Sequence, residues 1–243
     1  MPHEVARNGG WRVFGSPEIY PVEFGLAHEE VLADELTDQP TRRSLLVWRC
    51  KPSLLVTRTE MRLPLIEHAS AELRAAGWPI ALRKSGGAAC PVGLGTIQLS
   101  TIEAARCGAT LAENYQVLAQ LMKAVLCLYG IPAEARLVAG AYCPGNYDLA
   151  VETRKIAGMS QHWFRNRGGT RCTVTTASIN IEEPPDVLAA VVNRFYDRAG
   201  GSFRCNAESL TNMRLCGAGA TAPENELATA FIGQIASSAP MLG

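Results

Sequence analysis

The spacing of apolar and polar positions changes several times along the chain, and each change marks an element. Over 25–36, "GLAHEEVLADEL", apolar residues recur three and four apart, which predicts a helix. "SLLVWRC" (44–50) and "SLLVTR" (53–58) are short apolar runs split by Lys51-Pro52, and read as two strands. "LPLIEHASAELRAAG" (63–77) is helical, with Pro64 expected in its first turn and Gly77 at its end. A strand is predicted over 78–84, a glycine-rich stretch follows over 85–95, and a second strand resumes over 96–103. The clearest helix is 109–129, where Leu111, Tyr115, Leu118, Met122, Val125 and Tyr129 share one face and Gly130 ends the run. That stripe is core packing rather than a cofactor contact. "DLAVET" and "RKIAGMSQHWF" read as a hairpin, 172–182 as an alternating strand, and 184–200 as a helix that opens on proline and closes on glycine.

Helices and strands interleave, and several neighbouring strands are expected to be antiparallel. The pattern predicts an α+β (mixed α/β) fold rather than a doubly wound sheet. At 243 residues the chain is expected to form one domain, 1–243, with room for a substantial core.

Lysine plus arginine balance aspartate plus glutamate, so no nucleic-acid footprint is expected. No run approaches the roughly 20 apolar residues of a membrane helix, and "MPHEVARNGGWRVF" lacks the apolar segment of a signal peptide. The eight cysteines form no CxxC pair and histidines number four, which argues against zinc or a redox dithiol. Free thiols in a cytoplasmic protein are the expectation.

Two stretches carry candidate chemistry. "RKSGGAACPVGLGT" lacks the Gly-Lys-Ser/Thr of a phosphate loop, and its glycines open no helix. Strand–Gly-Gly–strand brings bare amides close to something, either a carbonyl pocket or simply a bulged hairpin. In "YCPGNYDLAVETRKIAG" (142–158), Cys143 precedes a Pro-Gly-Asn turn, and Lys155 follows on a predicted strand. A loop thiol near an amine suits nucleophilic catalysis, with Lys155 the obvious cation beside the sulfur. A packed cysteine and a solvated lysine suit the residues as well. Cys205, in a glycine-flanked loop, competes for the nucleophile's place. His162 is a polar loop residue or an accessory base. Asp148 is expected only to hydrogen-bond within its turn, and Cys90 to pack. Trp163 packs on the loop or meets a partner.

"SGGAACPVGLGTIQLS", "CPGNYDLAVETRKIAG" and "LVWRCKPSLLVTRTEMRLPLIE" together resemble the lipoate–protein ligase A and octanoyltransferase family, in the same order over roughly 20–215. Its Arg-x-x-Gly-Gly loop corresponds to Arg83–Gly87, and its Lys-Ile-x-Gly strand to Lys155–Gly158. Cys143-Pro144-Gly145-Asn146-Tyr147-Asp148-Leu149 is similar to the Cys-Pro-Gly-Ser-Tyr-Asp-Leu of one branch, the octanoyl-[glycine-cleavage H protein]:protein N-octanoyltransferases.

The resemblance implies a biotin/lipoate ligase-like catalytic domain with mixed, largely antiparallel sheets flanked by helices, without the ligases' C-terminal accessory domain. It implies Cys143 as acyl-carrying nucleophile, Lys155 as family lysine and proton shuttle, and Arg83, Ser85, Gly86, Gly87, Ala88, Tyr147 and Gly158 around the substrate. It implies transfer of an octanoyl or lipoyl group between lipoyl-carrier proteins, namely glycine-cleavage H protein and the lipoyl domains of 2-oxoacid dehydrogenase E2 subunits. No metal or other cofactor is required, nor nucleic acid or membrane. Ala88 and Gly93 stand where the family often has a glycine and an acid, which weakens an ATP-dependent reading. That ligase reading and a non-catalytic acyl- or carrier-binding module stay open. "QHWFRNRGGTRC" (161–172) departs from the branch and is expected to be a longer loop. An acyl chain needs a dry slot, where seven carbons contribute about 5–6 kcal/mol.

Overall fold

The computed structural model describes residues 2–239 other than Gly9, Cys107, Ala220, Thr221 and Glu224. In chain order the elements are β1 (His3–Asn8), β2 (Trp11–Tyr20), α1 (Val22–Asp34), β3 (Arg43–Cys50), β4 (Ser53–Val56), α2 (Ile66–Ala75), β5 (Ile80–Leu82), β6 (Cys90–Val92), β7 (Thr96–Ala104) and α3 (Leu111–Leu128). They continue with β8 (Glu134–Ala135), β9 (Leu149–Val151), β10 (Arg154–Arg165), β11 (Arg171–Asn180), α4 (Pro185–Ala199) and α5 (Glu226–Ser238).

An eight-stranded sheet, ordered β1-β2-β3-β7-β11-β10-β9-β8, forms the centre of the molecule. Among the described residues only its β2–β3 pair is parallel. A three-stranded sheet, β5-β4-β6, lies apart from it. The mixed, mainly antiparallel α+β expectation matches this arrangement. Strand alternation gives the large sheet two apolar faces. Val47, Leu99, Ala177 and Ile179 pack with Leu118, Met122, Val125 of α3 and Phe231, Ile235 of α5. Leu46, Trp48 and Val174 face the other way, toward α1, the small sheet, α2 and α4.

Several elements differ from the sequence reading. Gly25, read as the helix start, lies inside α1, which begins after Pro21. A Cβ at Gly25 would come within 2.4 Å of the Trp48 ring, so glycine permits α1 to sit directly on β3. Pro64 precedes the Leu65 N-cap of α2 and is not in its first turn. Residues 161–172 are not a long loop: β10 and β11 run through them in register from Ala157↔Ile179 to Arg165↔Arg171. Only the short turn at Asn166–Thr170 separates the strands, closed by Asn166 N–H to Thr170 O at 3.0 Å. His162 and Trp163 are therefore strand residues. Strands β1 and β2 and helix α5 have no counterpart in the sequence reading.

Candidate active site

Cys143 stands in the loop before β9 with φ +41°, left-handed and unfavourable for a residue with a Cβ. Two groups account for that backbone. Lys155 Nζ donates to Tyr142 O at 2.9 Å and to Cys143 O at 3.0 Å, pinning successive carbonyls at the strained residue. Asp148 Oδ2 accepts Gly145 N–H at 2.9 Å and closes the turn just beyond.

The same Oδ2 receives the Lys155 ammonium at 2.8 Å, with both side chains 1% exposed. Burial pushes the Asp148 carboxyl up, while Lys155 and the amides of Gly145 and Met159 pull it back. The turn bond expected of Asp148 is present. What the sequence reading missed is that this residue is also the counter-ion of Lys155.

Lys155 reaches this position through an irregularity in β10. Pairing with β9 shifts register between Lys155 and Ala157. A bulge of this kind turns side chains at opposite parity to one face, and Lys155 and Gly158 both line the same cleft. A Cβ at Gly158 would fall 2.9 Å from Lys155 Nζ, so glycine is required for the ammonium to lie there.

The sulfur meets the glycine-rich loop. Ala88 N–H points at Cys143 Sγ at 3.1 Å, and Arg83 Nη2 at 3.3 Å. Arg83, just beyond β5, is buried, and its Nη2 also donates to Ala88 O at 2.8 Å. Gly87 has φ +105°, and a Cβ there would come within 2.6 Å of the sulfur. Ala89 N–H donates to Tyr196 Oη at 3.2 Å, which in turn donates to Glu60 Oε1 at 2.9 Å. The expectation that Lys155 is the cation beside the thiol is thus corrected: Arg83 contacts the sulfur. All three Lys155 N–H groups have acceptors in the loop and Asp148.

A narrow cleft opens at Cys143 and passes Arg83, Ser85, Lys155 and Gly158. Gly86, Gly87, Ala88 and Tyr147 are not among its lining residues. Tyr147 instead stacks on Tyr115 of α3, with centroids 4.5 Å apart. Cys205 is buried, clamped by Asn193 at 2.7 and 2.9 Å, and burial pushes its thiol up to about 11. Cys90 is buried in the cleft wall, its thiol also pushed up to about 11 by burial. Burial lowers His162 to about 4, so it is neutral at pH 7. Cys143 alone of these three cysteines combines partial exposure with a polar seat.

Residues 21–220 match the family model described as the lipoyl protein ligase A/B catalytic domain. An octanoyl-[GcvH]:protein N-octanoyltransferase of Geobacillus kaustophilus (strain HTA426) is 28% identical over 201 residues, 81% of this chain and 69% of that protein. One of the same name from Kyrpidia tusciae (strain DSM 2912 / NBRC 15312 / T2) is 29% identical over 215 residues, covering 84% and 73%. Among solved structures, a putative lipoate protein ligase from T. acidophilum with bound lipoic acid superposes with TM-score 0.68 at 16% identity, covering 96% of this chain and 86% of that one. A lipoate-protein ligase A bound with ATP gives 0.69 at 16% identity and the same coverage. These structures share the fold.

Proposed function

The chain belongs to the lipoyl protein ligase A/B catalytic domain family, and from that premise we propose that it transfers an octanoyl or lipoyl group between carrier proteins through a thioester on Cys143. One observation carries the reading: a partly exposed thiol, held in a left-handed turn at a cleft mouth, is aimed at a backbone N–H and a guanidinium. The names of the relatives support octanoyl transfer with the glycine-cleavage H protein as one carrier. A solved archaeal lipoate ligase described with its E2 lipoyl domain supports lipoyl domains as the other class of carrier.

In the first half-reaction the Cys143 sulfur attacks the carbonyl carbon of an acyl-lysine amide. The carbonyl oxygen takes the negative charge of the tetrahedral intermediate. Ala88 N–H and Arg83 Nη2 are the donors suited to receive it, since both already point to the reacting position. The C–N bond then breaks, the amine leaves with the proton that the thiol gave up, and the acyl group remains on sulfur. In the second half an acceptor lysine amine attacks the thioester, the C–S bond breaks, and the proton lost by the amine returns the thiol. Lys155 can give the departing amine a proton only after releasing one of its three acceptors, Tyr142 O, Cys143 O or Asp148 Oδ2, because every ammonium N–H is occupied.

Intact-mass spectrometry with an octanoylated H protein, without ATP, tests this. The expected result is one octanoyl group on the chain, released by hydroxylamine, mapped to Cys143 and missing from Cys143→Ser. Undiminished transfer by Cys143→Ser, or transfer only when ATP is added, would falsify the thioester route.

A further inference from the structure

The N–H aimed at Cys143 Sγ belongs to the Gly87–Ala88 peptide. Residues 83–89 lie between β5 and β6 and belong to neither strand, so no ladder fixes that direction. An oxyanion donor works only when it is oriented in advance. The next peptide along supplies the orientation. Its carbonyl, Ala88 O, accepts from Arg83 Nη2 at 2.8 Å, and its N–H, that of Ala89, donates to Tyr196 Oη at 3.2 Å. A peptide unit is planar. With this one gripped at both ends, only φ and ψ of Ala88 separate it from the N–H at the sulfur, and the Ala88 Cβ narrows both torsions.

The grip of Tyr196 is itself directional. A phenol has one hydrogen, and an amide N–H can only donate. Oη therefore accepts from Ala89 and gives its own hydrogen to Glu60 Oε1 at 2.9 Å. The other carboxylate oxygen, Glu60 Oε2, takes the N–H and the hydroxyl of Thr57, each at 2.7 Å, just beyond β4. The glycine-rich loop is thus tied through α4 to the small sheet. Ala89, Tyr196 and Glu60 are all buried, and burial pushes the phenol up, which keeps its hydrogen in place. The ring has a hold of its own: it packs on Phe195 and Phe203, with centroids 5.0 and 5.2 Å away. Tyr196 is not among the residues that line the cleft.

We propose that Tyr196, backed by Glu60, is a positioning residue for acyl transfer. Its hydroxyl fixes the Ala88–Ala89 peptide and so aims the Ala88 N–H at the oxygen of the tetrahedral intermediate. This rests on the acyl-transfer reading above and extends it to a side chain outside the cleft. Because the phenol meets neither the acyl chain nor the sulfur, its hydroxyl acts on the rate of the chemical step and not on substrate binding. Without it, the Ala89 N–H and one Glu60 oxygen are left buried and unpaired, and the loop must turn to find other partners.

Tyr196→Phe removes one oxygen and leaves the ring packing. With octanoylated H protein as donor, kcat for acylation should fall about ten- to a hundredfold, short of the loss from deleting an oxyanion donor outright, with KM unchanged. Amide hydrogen exchange should quicken at Ala88 and Ala89, with circular dichroism confirming the fold. Alkylation of Cys143 by iodoacetamide at high pH, where the thiol is ionised, builds no oxyanion and should keep its rate. Unchanged kcat, unchanged exchange at both amides, or a fall in kcat matched by equal slowing of alkylation would overturn the proposal. Should Tyr196→Phe not fold, Glu60→Gln, which leaves the phenol a neutral acceptor, is read by the same criteria with a smaller expected loss. Failure of the acyl-transfer reading shows in a different protein: the unaltered chain would form no adduct on Cys143, and both readings would fall together.

Discussion

Lys155 and Asp148 are both almost fully enclosed, and the ammonium has three acceptors within 3.0 Å. Replacing the carboxylate alone strands a buried cation. Asp148→Asn is expected to cost about 3–5 kcal/mol in urea denaturation, and adding Lys155→Met should recover part of that loss by removing the orphaned charge. Unchanged stability in the single variant would mean that the two carbonyls suffice to hold the ammonium. Glu29 gives a second residue-scale prediction. Burial raises its carboxyl from 4.5 to about 7, against the pull of Ser100. Between those values the folded chain keeps a proton that the unfolded chain has lost. Its contribution is therefore full below about pH 4.5 and declines as pH rises to 7. His162 acts oppositely: lowered from 6.5 to about 4, it contributes above 6.5 and loses that contribution as pH falls. Glu29→Gln isolates the carboxyl. Relative to the unaltered chain it should gain up to about 3 kcal/mol at pH 8, at about 1.4 kcal/mol per pH unit between the two values, and nothing at pH 4. Thermal scans at both pH values check this; an equal gain at each would point to packing rather than ionisation.

At the scale of elements, α3 shows how local sequence and packing combine. Thr110 accepts from Glu113 N–H at 3.2 Å, while the Glu113 carboxylate receives Thr110 N–H at 2.7 Å. This reciprocal cap satisfies donors that the helix cannot satisfy itself. Thr110→Ala should cost about 1 kcal/mol, lowering Tm by about 2–4 °C, with Cys143 acylation retained. A loss of acylation would mean that α3, through the Tyr115–Tyr147 stack, positions the cysteine loop. The predicted stripe is buried at Leu118, Met122 and Val125 but not at Leu111, which is 56% exposed. Helix termination was equally legible at α4, where Gly200 is left-handed. The stretch 161–172 was misread because its glycines and arginines resemble a loop. Its pairing with β11, including Thr173 and Cys172, is the deciding interaction, and pairing partners are not written in local composition.

For the molecule as a whole, the sheet separates two cores, and the site lies on only one side. Phe231 of α5 is fully buried in the other core, against Tyr129. Phe231→Ala should cost about 3–5 kcal/mol and lower Tm by about 10 °C, while acyl transfer at 25 °C persists. Loss of transfer in a variant still folded at that temperature would show that the two layers are coupled.

The sequence by itself determined the periodic elements, the mixed fold, the Cys143 turn and the identity of the lysine strand, because those depend on neighbours three to twelve positions away. Only the tertiary structure decided that Arg83 rather than Lys155 meets the sulfur, that Asp148 holds the lysine, and that Tyr196 grips the Ala89 N–H. Those relations join residues from different elements of the chain. They are fixed by sheet order, by the bulge at Lys155, and by the close approach that Gly25, Gly87 and Gly158 permit, of which only the Gly86-Gly87 approach has a local signature.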